Sequence, residues 1–122
     1  MAKENFEKFN FENLIVYQKA LDYVDLVYLL TDKFPKDEIF GLTSQFKRAA
    51  NSIALNIGEG SGGTKNEFAN FIRISYRSME ECVVCTTLAH RRKFINEKQL
   101  MESRTKLLEI AKMLSGLRKS IK

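Results

Sequence analysis

The sequence predicts an all-α protein, an antiparallel up-down-up-down bundle of four helices. Apolar residues recur with three-and-four spacing along most of the 122 residues, and no stretch alternates as a strand would. The chain has one proline, and four of its six glycines lie within 58–63, so long segments run without a helix breaker. Short connections between such segments are typical of a helix bundle. We expect one domain over 1–122, with 1–11 as an irregular arm.

The helix boundaries follow from breakers and caps. Helix one is expected over about 13–33, because Pro35 disfavours helical geometry in the residue before it. Helix two is expected over about 42–59, ended by glycines that would supply a left-handed cap. Thr64 and Asn96 each begin a capping box, which predicts helix three over about 65–93 and a fourth helix after Asn96.

Helix one carries two apolar stripes on nearly opposite sides. One stripe consists of Leu14, Tyr17, Leu21, Val24 and Tyr28. A helix in a small monomeric bundle needs only one apolar stripe, so the other predicts the interface of a homo-oligomer. We assign to this interface Val16, Ala20, Tyr23, Val27 and Leu30.

Helix two carries a polar stripe beside its apolar one. Its members are Gln45, Arg48, Ser52, Asn56 and Glu59. Serine and asparagine are poor residues for a helix interior, because their side chains compete for the backbone hydrogen bonds. Their alignment with charged residues predicts a structural hydrogen-bonded network, which we favour over a ligand or catalytic site.

The residues 44–60 read SQ-x-x-RAA-x-SI-x-x-NI-x-EG. This pattern resembles the signature of the four-helix-bundle family of the 23S rRNA intervening-sequence proteins, to which accessory variability proteins of diversity-generating retroelements are related. The similarity extends to 13–20, 34–38 and 77–82. Two positions depart from the family pattern: Gly58, where alanine is usual, and Arg77, where glycine is usual.

The resemblance has implications for assembly, contacts and role. It implies a homopentameric ring. It implies that Glu81, which matches the usual glutamate of the family, pairs with Arg48 across the bundle. In the retroelement relatives the partner is a reverse transcriptase with its RNA, and that role transfers to this chain only if a gene for such an enzyme lies nearby.

Charge is unevenly distributed along the chain. Residues 1–60 hold 7 basic and 9 acidic residues, whereas residues 61–122 hold 13 basic and 6 acidic ones. The basic half predicts a surface for RNA or DNA, with little sequence specificity and no aromatic run for base stacking. The candidate contacts are Arg73, Arg77, Arg91, Arg92, Lys93, Lys98, Arg104 and Lys106. The alternative is a purely structural self-assembling protein whose charge keeps it in solution.

The sequence offers no catalytic or metal-binding constellation. Cys82 and Cys85 form a C-x-x-C in mid-helix without a βαβ pattern or further ligands, which favours two buried thiols over a redox or zinc site. His90 has no positioned nucleophile or acid partner with which it could act in catalysis. Glu80 and Glu81 are adjacent, so their side chains point in different directions on the helix and do not form a catalytic pair. We therefore expect no enzyme activity, cofactor, metal or small-molecule substrate. Without a signal peptide or an apolar run of membrane length, we expect a cytoplasmic protein.

Overall fold

A computed structural model of the protein describes residues 6–121. The helices are α1 (Ile15–Thr31), α2 (Leu42–Ser61), α3 (Lys65–Arg91) and α4 (Glu97–Ser120). Short 3-10 turns at Asn10–Asn13 and Lys36–Glu38 precede α1 and α2. The described part of the chain has no strand, so the predicted all-α class is confirmed.

The helices pack in a cycle. Each of α1, α2 and α3 packs on the next helix, and α1 also packs on α4, whereas no Cα atom of α1 lies within 8 Å of a Cα atom of α3, and the same holds for α2 and α4. This cycle is compatible with the expected up-down-up-down order. It also places the seam between α1 and α2 on the opposite side of the bundle from the seam between α3 and α4.

The stripe of α1 that we assigned to an oligomer interface lies in the core of the chain itself. Its five members are no more than 5% exposed: Val16, Ala20, Tyr23, Val27 and Leu30. The assignment is therefore wrong. The other stripe faces outward, with Leu21 41% and Tyr28 45% exposed. Periodicity could not predict which stripe is buried, because both stripes are apolar. What distinguishes the buried stripe is the hydroxyl of Tyr23, which finds a hydrogen-bond partner inside the bundle.

A chain of buried hydroxyl groups fixes the rotation of α1. The Tyr23 hydroxyl lies 2.9 Å from Ser103 Oγ on α4, and Ser103 Oγ lies 2.8 Å from Thr86 Oγ1 on α3. Thr86 Oγ1 donates to the carbonyl oxygen of Cys82, so Ser103 donates to Thr86 and Tyr23 donates to Ser103. Each such bond contributes about 1 kcal/mol net, and a lost partner would leave a buried polar group unsatisfied.

The two predicted capping boxes are confirmed. Thr64 Oγ1 accepts from the Glu67 N–H at 3.1 Å, and Glu67 Oε1 accepts from the Thr64 N–H at 2.7 Å. Asn96 and Gln99 exchange the same pair of bonds at the start of α4, both at 2.8 Å. The carboxylate of Glu67 has a lowered pKa, because the Thr64 backbone N–H stabilises its charged form.

The left-handed glycine cap of α2 is not formed. No described glycine has a positive φ, and Gly62 ends α2 at a φ of −85°. The one left-handed residue of the described chain is Lys93, with a φ of 63°, after the end of α3. Its N–H bonds to the His90 carbonyl at 3.0 Å, while the Phe94 N–H bonds to the Ala89 carbonyl at 2.9 Å. These two bonds form a Schellman motif.

Two glycines of α2 leave room for aromatic rings rather than forming a left-handed cap. A Cβ atom built on Gly58 would lie 3.3 Å from Cε2 of Phe11, so the alanine usual in the family would crowd that ring. Phe11 contacts the ring of Tyr17 edge-on, with centroids 5.1 Å apart. Within the expected irregular arm, Phe11 therefore packs on the helices, whereas Phe6 and Phe9 are exposed and 1–5 lie outside the described residues.

Gly60 sets how closely α2 approaches α3. A Cβ atom on this buried residue would lie 2.4 Å from the Phe71 Cβ and 2.9 Å from its Cγ. Because one of these atoms is bonded directly to the backbone of α3, no side-chain rotation relieves the clash.

We predict that Gly60→Ala lowers the free energy of unfolding by about 1–3 kcal/mol, because the helices must separate to admit the methyl group. Gly116→Ala in α4 is the matched control. Its Cβ would meet no atom within 4 Å, so better helix propensity should raise stability by up to about 1 kcal/mol. Urea unfolding of both variants measures the difference. Equal stability of Gly60→Ala and the parent protein would contradict the close approach.

None of the helices in the described residues is both long enough and apolar enough to cross a membrane.

Candidate nucleic-acid interface

Half of the predicted basic contacts gather around the turn between α3 and α4. They are Arg91, Arg92, Lys93 and Lys98, and all four side chains are exposed. The Schellman motif at Lys93 reverses the chain within 92–96, which brings the C-terminal end of α3 beside the start of α4. We call these four residues the basic turn.

Arg73 and Arg77 lie far from the basic turn, on the N-terminal half of α3. They are four residues apart, so they share one face of the helix, and both are exposed. At 1.5 Å per residue, Arg77 lies about 21 Å along α3 from Arg91. Arg118 near the end of α4 lines the same surface hollow as Arg73 and Arg77.

The remaining two candidates lie on different flanks of α4. Arg104 lines the groove between α3 and α4, together with apolar side chains that include Met101 and Leu108. Lys106 is half-buried and is three residues from Glu109, which contacts Lys19 of α1 at 3.3 Å. Lys106 therefore faces the α1 side and does not belong with Arg104. The structure thus brings seven of the eight candidates to the α3–α4 side.

The basic candidates are not neutralised by neighbouring carboxylates. Within residues 6–121, nitrogen and oxygen atoms of opposite charge come within 4.0 Å in two pairs, Lys19–Glu109 and His90–Glu97. None of the eight candidates takes part in either pair. Their one side-chain hydrogen bond joins Arg73 Nη2 to Asn70 Oδ1 at 2.8 Å. An unpaired surface cation keeps its charge available for an anionic partner.

The predicted polar network forms only in part. Ser52 Oγ accepts from Asn56 Nδ2 at 2.9 Å and from Ser78 Oγ of α3 at 2.8 Å. Ser78 was not among the predicted members of the network, although its position three residues before Glu81 places it on the same side of α3. Gln45 and Glu59 are exposed and make no side-chain hydrogen bond.

The predicted pairing of Arg48 with Glu81 is wrong. Both side chains are exposed, and both line a hollow between α2 and α3, but no ion pair joins them within 4.0 Å. Ser52 and Ser78 occupy the seam between the helices with their own short hydrogen bond. The two charged ends therefore extend past this seam into solvent, where an ion pair would contribute little.

The C-x-x-C motif lies in the core. Cys82 and Cys85 are free thiols and are at most 1% exposed. Burial raises the pKa of Cys85 to about 11 and raises that of Cys82 further, so both remain protonated near neutral pH. No three His, Cys, Asp or Glu side chains within residues 6–121 come together as metal ligands would.

An apolar groove runs along the opposite side of the bundle. It encloses about 520 Å³ between the outward stripe of α1 and the outer face of α2. Its apolar walls are formed by Phe11, Tyr17, Leu21, Val24, Ala54 and Leu55. Leu55 is 60% exposed, although it is a large apolar residue in mid-helix. A patch of this kind is typical of a surface that another protein covers.

Comparison with known proteins gives one family and one fold. A family model described as 23S rRNA-intervening sequence protein matches residues 12–116. A crystal structure of a protein of unknown function from the S23 ribosomal protein family of Bacteroides thetaiotaomicron superimposes with a TM-score of 0.80. It is 23% identical, and the match covers 87% of this chain and 96% of that one. No curated protein matches the sequence.

Proposed function

Because the chain belongs to the 23S rRNA-intervening sequence protein family, we propose that it is a non-enzymatic, homo-oligomeric protein that binds RNA or DNA. The binding surface is the α3–α4 side of the bundle. One observation carries this proposal: seven exposed basic side chains lie on that side, and none is paired with a carboxylate. Nucleic acid supplies the anionic groups that such a surface attracts.

The chemistry of the surface favours phosphate contacts over base reading. Arginine and lysine bind phosphate oxygens as forks and point charges, and they carry sequence information only where a groove holds them against base edges. Here the cations are spread along more than 20 Å of helix, which suits the spacing of a backbone rather than one base. Binding is therefore weakly sequence-specific and strengthened by multiple copies in an oligomer.

The proposed self-association would favour nucleic-acid binding, because it repeats the basic surface. The apolar groove between α1 and α2 would be covered by a second copy of the chain, and the family resemblance implies five copies. This arrangement leaves the cations of α3 and α4 uncovered, because their seam lies on the opposite side of the bundle. Each added copy then repeats the basic surface.

We predict that single-stranded RNA and DNA of about 20 nucleotides bind with affinities that fall steeply as salt rises. Three phosphate contacts, one shared by Arg73 and Arg77 and one each at Arg91 and Arg92, would give a log–log slope of about −2, at about −0.7 per contact. Changing these four arginines to glutamine should flatten this slope by up to about 2 units. Fluorescence anisotropy over a potassium chloride series measures both slopes.

The matched control removes four charges that lie outside α3, α4 and the turn between them. Glutamine at Lys8, Lys19, Lys47 and Arg48 lowers the net charge equally and should leave the slope unchanged. An affinity that is independent of salt, or an equal loss in both variants, would contradict the proposed surface. Absence of binding to every probe at low salt would leave only the structural alternative, self-assembly without nucleic acid.

We predict that Leu21→Glu combined with Leu55→Glu lowers the mass of the assembly in light scattering, because two carboxylates would be buried at the contact. Both residues are exposed in the single chain, so its folding should be preserved. Leu29→Glu, at an exposed position of α1 that does not line the groove, is the control and should keep the parent mass. A monomeric parent protein would contradict self-association.

A further inference from the structure

A hollow at the far end of the α3–α4 seam collects three arginine side chains from two helices. Arg73 and Arg77 of α3 and Arg118 of α4 surround about 260 Å³, with Ile72 and Leu114 as its buried floor. The packing of these two apolar residues fixes α3 against α4, so the three arginine backbones are held at set positions. The hollow is therefore built from rigid helices and not from a loop.

The three guanidinium groups outnumber the carboxylates of the hollow. Its one acidic lining residue, Glu80, has no carboxylate oxygen within 4.0 Å of them. Arg73 is held by Asn70, whose amide oxygen is neutral and cancels none of the charge. The hollow therefore carries a net positive charge, and an anion placed in it is attracted and accepts several hydrogen bonds. Such a cluster suits a phosphate group, which offers several acceptor oxygens to planar guanidinium forks.

Tyr76 connects this hollow to the rest of the seam. Its half-buried side chain lines the arginine hollow, the neighbouring groove with Met101 and Leu108, and a third hollow edged by Lys112 and Lys119. Its ring therefore lies at the junction of a cationic and an apolar part of one continuous surface. An aromatic side chain beside phosphate-binding cations is the arrangement on which unpaired bases stack.

We propose that Arg73, Arg77, Arg118 and Tyr76, here called the arginine notch, hold one backbone phosphate of a single-stranded nucleic acid and stack its adjacent base on Tyr76. A duplex does not fit this site, because its bases are paired and stacked inside the helix and cannot reach a ring between two α-helices. The inference rests on the proposed function and adds where, and in which form, the nucleic acid is held.

The notch does not disturb the packing of the helices. The resemblance implies glycine at position 77, where this chain has an arginine. The arginine does not hinder helix packing, because its side chain is exposed and the close approach of α2 to α3 occurs at Gly60.

The test compares two sets of three charges on the same surface. The notch variant carries Arg73→Gln, Arg77→Gln and Arg118→Gln, and the turn variant carries Arg91→Gln, Arg92→Gln and Lys98→Gln. The probe is a fluorescein-labelled single-stranded decamer of adenylate, with a duplex of ten base pairs beside it. We expect the notch variant to lose at least about tenfold more single-strand affinity than the turn variant. Equal losses would overturn the notch, since a diffuse field would then account for binding.

Substitutions of Tyr76 test whether a base stacks on its ring. Tyr76→Phe keeps an aromatic ring and should bind like the parent, whereas Tyr76→Leu should lose about tenfold for the single strand and nothing for the duplex. Adenosine monophosphate should compete better than inorganic phosphate, because it supplies the ring as well as the anion. Equal competition by adenosine monophosphate and inorganic phosphate, or an unchanged single-strand affinity of Tyr76→Leu, would overturn the stacking and leave a site for phosphate alone.

The outcomes separate the notch from the proposed function. If the parent protein binds no nucleic acid, both fail together. If it binds and the notch variant binds equally well, only the notch is wrong. Circular dichroism melting checks that each variant folds, and the single change Arg77→Gln serves if the triple change unfolds the bundle. Its expected loss is about threefold to tenfold.

Discussion

The orientation of α1 depends on one buried hydrogen-bonded chain. Tyr23, Ser103 and Thr86 join three helices at the centre of the bundle, and each hydroxyl there has a partner. Turning α1 to bury its other apolar stripe would remove the hydrogen bond from Tyr23 to Ser103, and the Ser103 hydroxyl would keep only its bond to Thr86. Since both stripes of α1 are apolar, these hydrogen bonds determine which side of α1 faces the solvent.

That selection divides the outer surface into two parts with different chemistry. The groove along α1 and α2, with Leu21 and Leu55 exposed, has no cation in its walls. The seam of α3 and α4 carries unpaired cations beside an apolar groove in which Met101 and Leu108 are exposed. Because the four helices pack in a cycle, the two seams lie on opposite sides. A protein can therefore cover one side with further copies and present the other to an anionic polymer, without the two contacts competing.

The sequence predicted the parts of the structure that depend on neighbours along the chain. Periodicity located the four helices to within two residues at most ends, and both capping boxes at Thr64 and Asn96 formed as expected. It could not predict which stripe of α1 is buried, since that depends on Ser103, eighty residues away. It missed Tyr76, and it did not predict that Arg118 lies beside Arg73 and Arg77, because that approach depends on how α4 packs on α3. Pairing Arg48 with Glu81 failed for a related reason: two residues on facing helices need not face each other.

The α3–α4 side should bind nucleic acid while the α1–α2 side does not. Nuclear magnetic resonance of the labelled protein, titrated with single-stranded RNA at low salt, distinguishes the two sides in one experiment, because every backbone amide reports at once. We expect chemical shifts to change along α3 and α4, most of all around Tyr76 and Arg104, and to stay constant at Leu21, Tyr28 and Leu55. Changes concentrated on the α1–α2 side, with α3 and α4 unaffected, would show that this division of the surface is wrong.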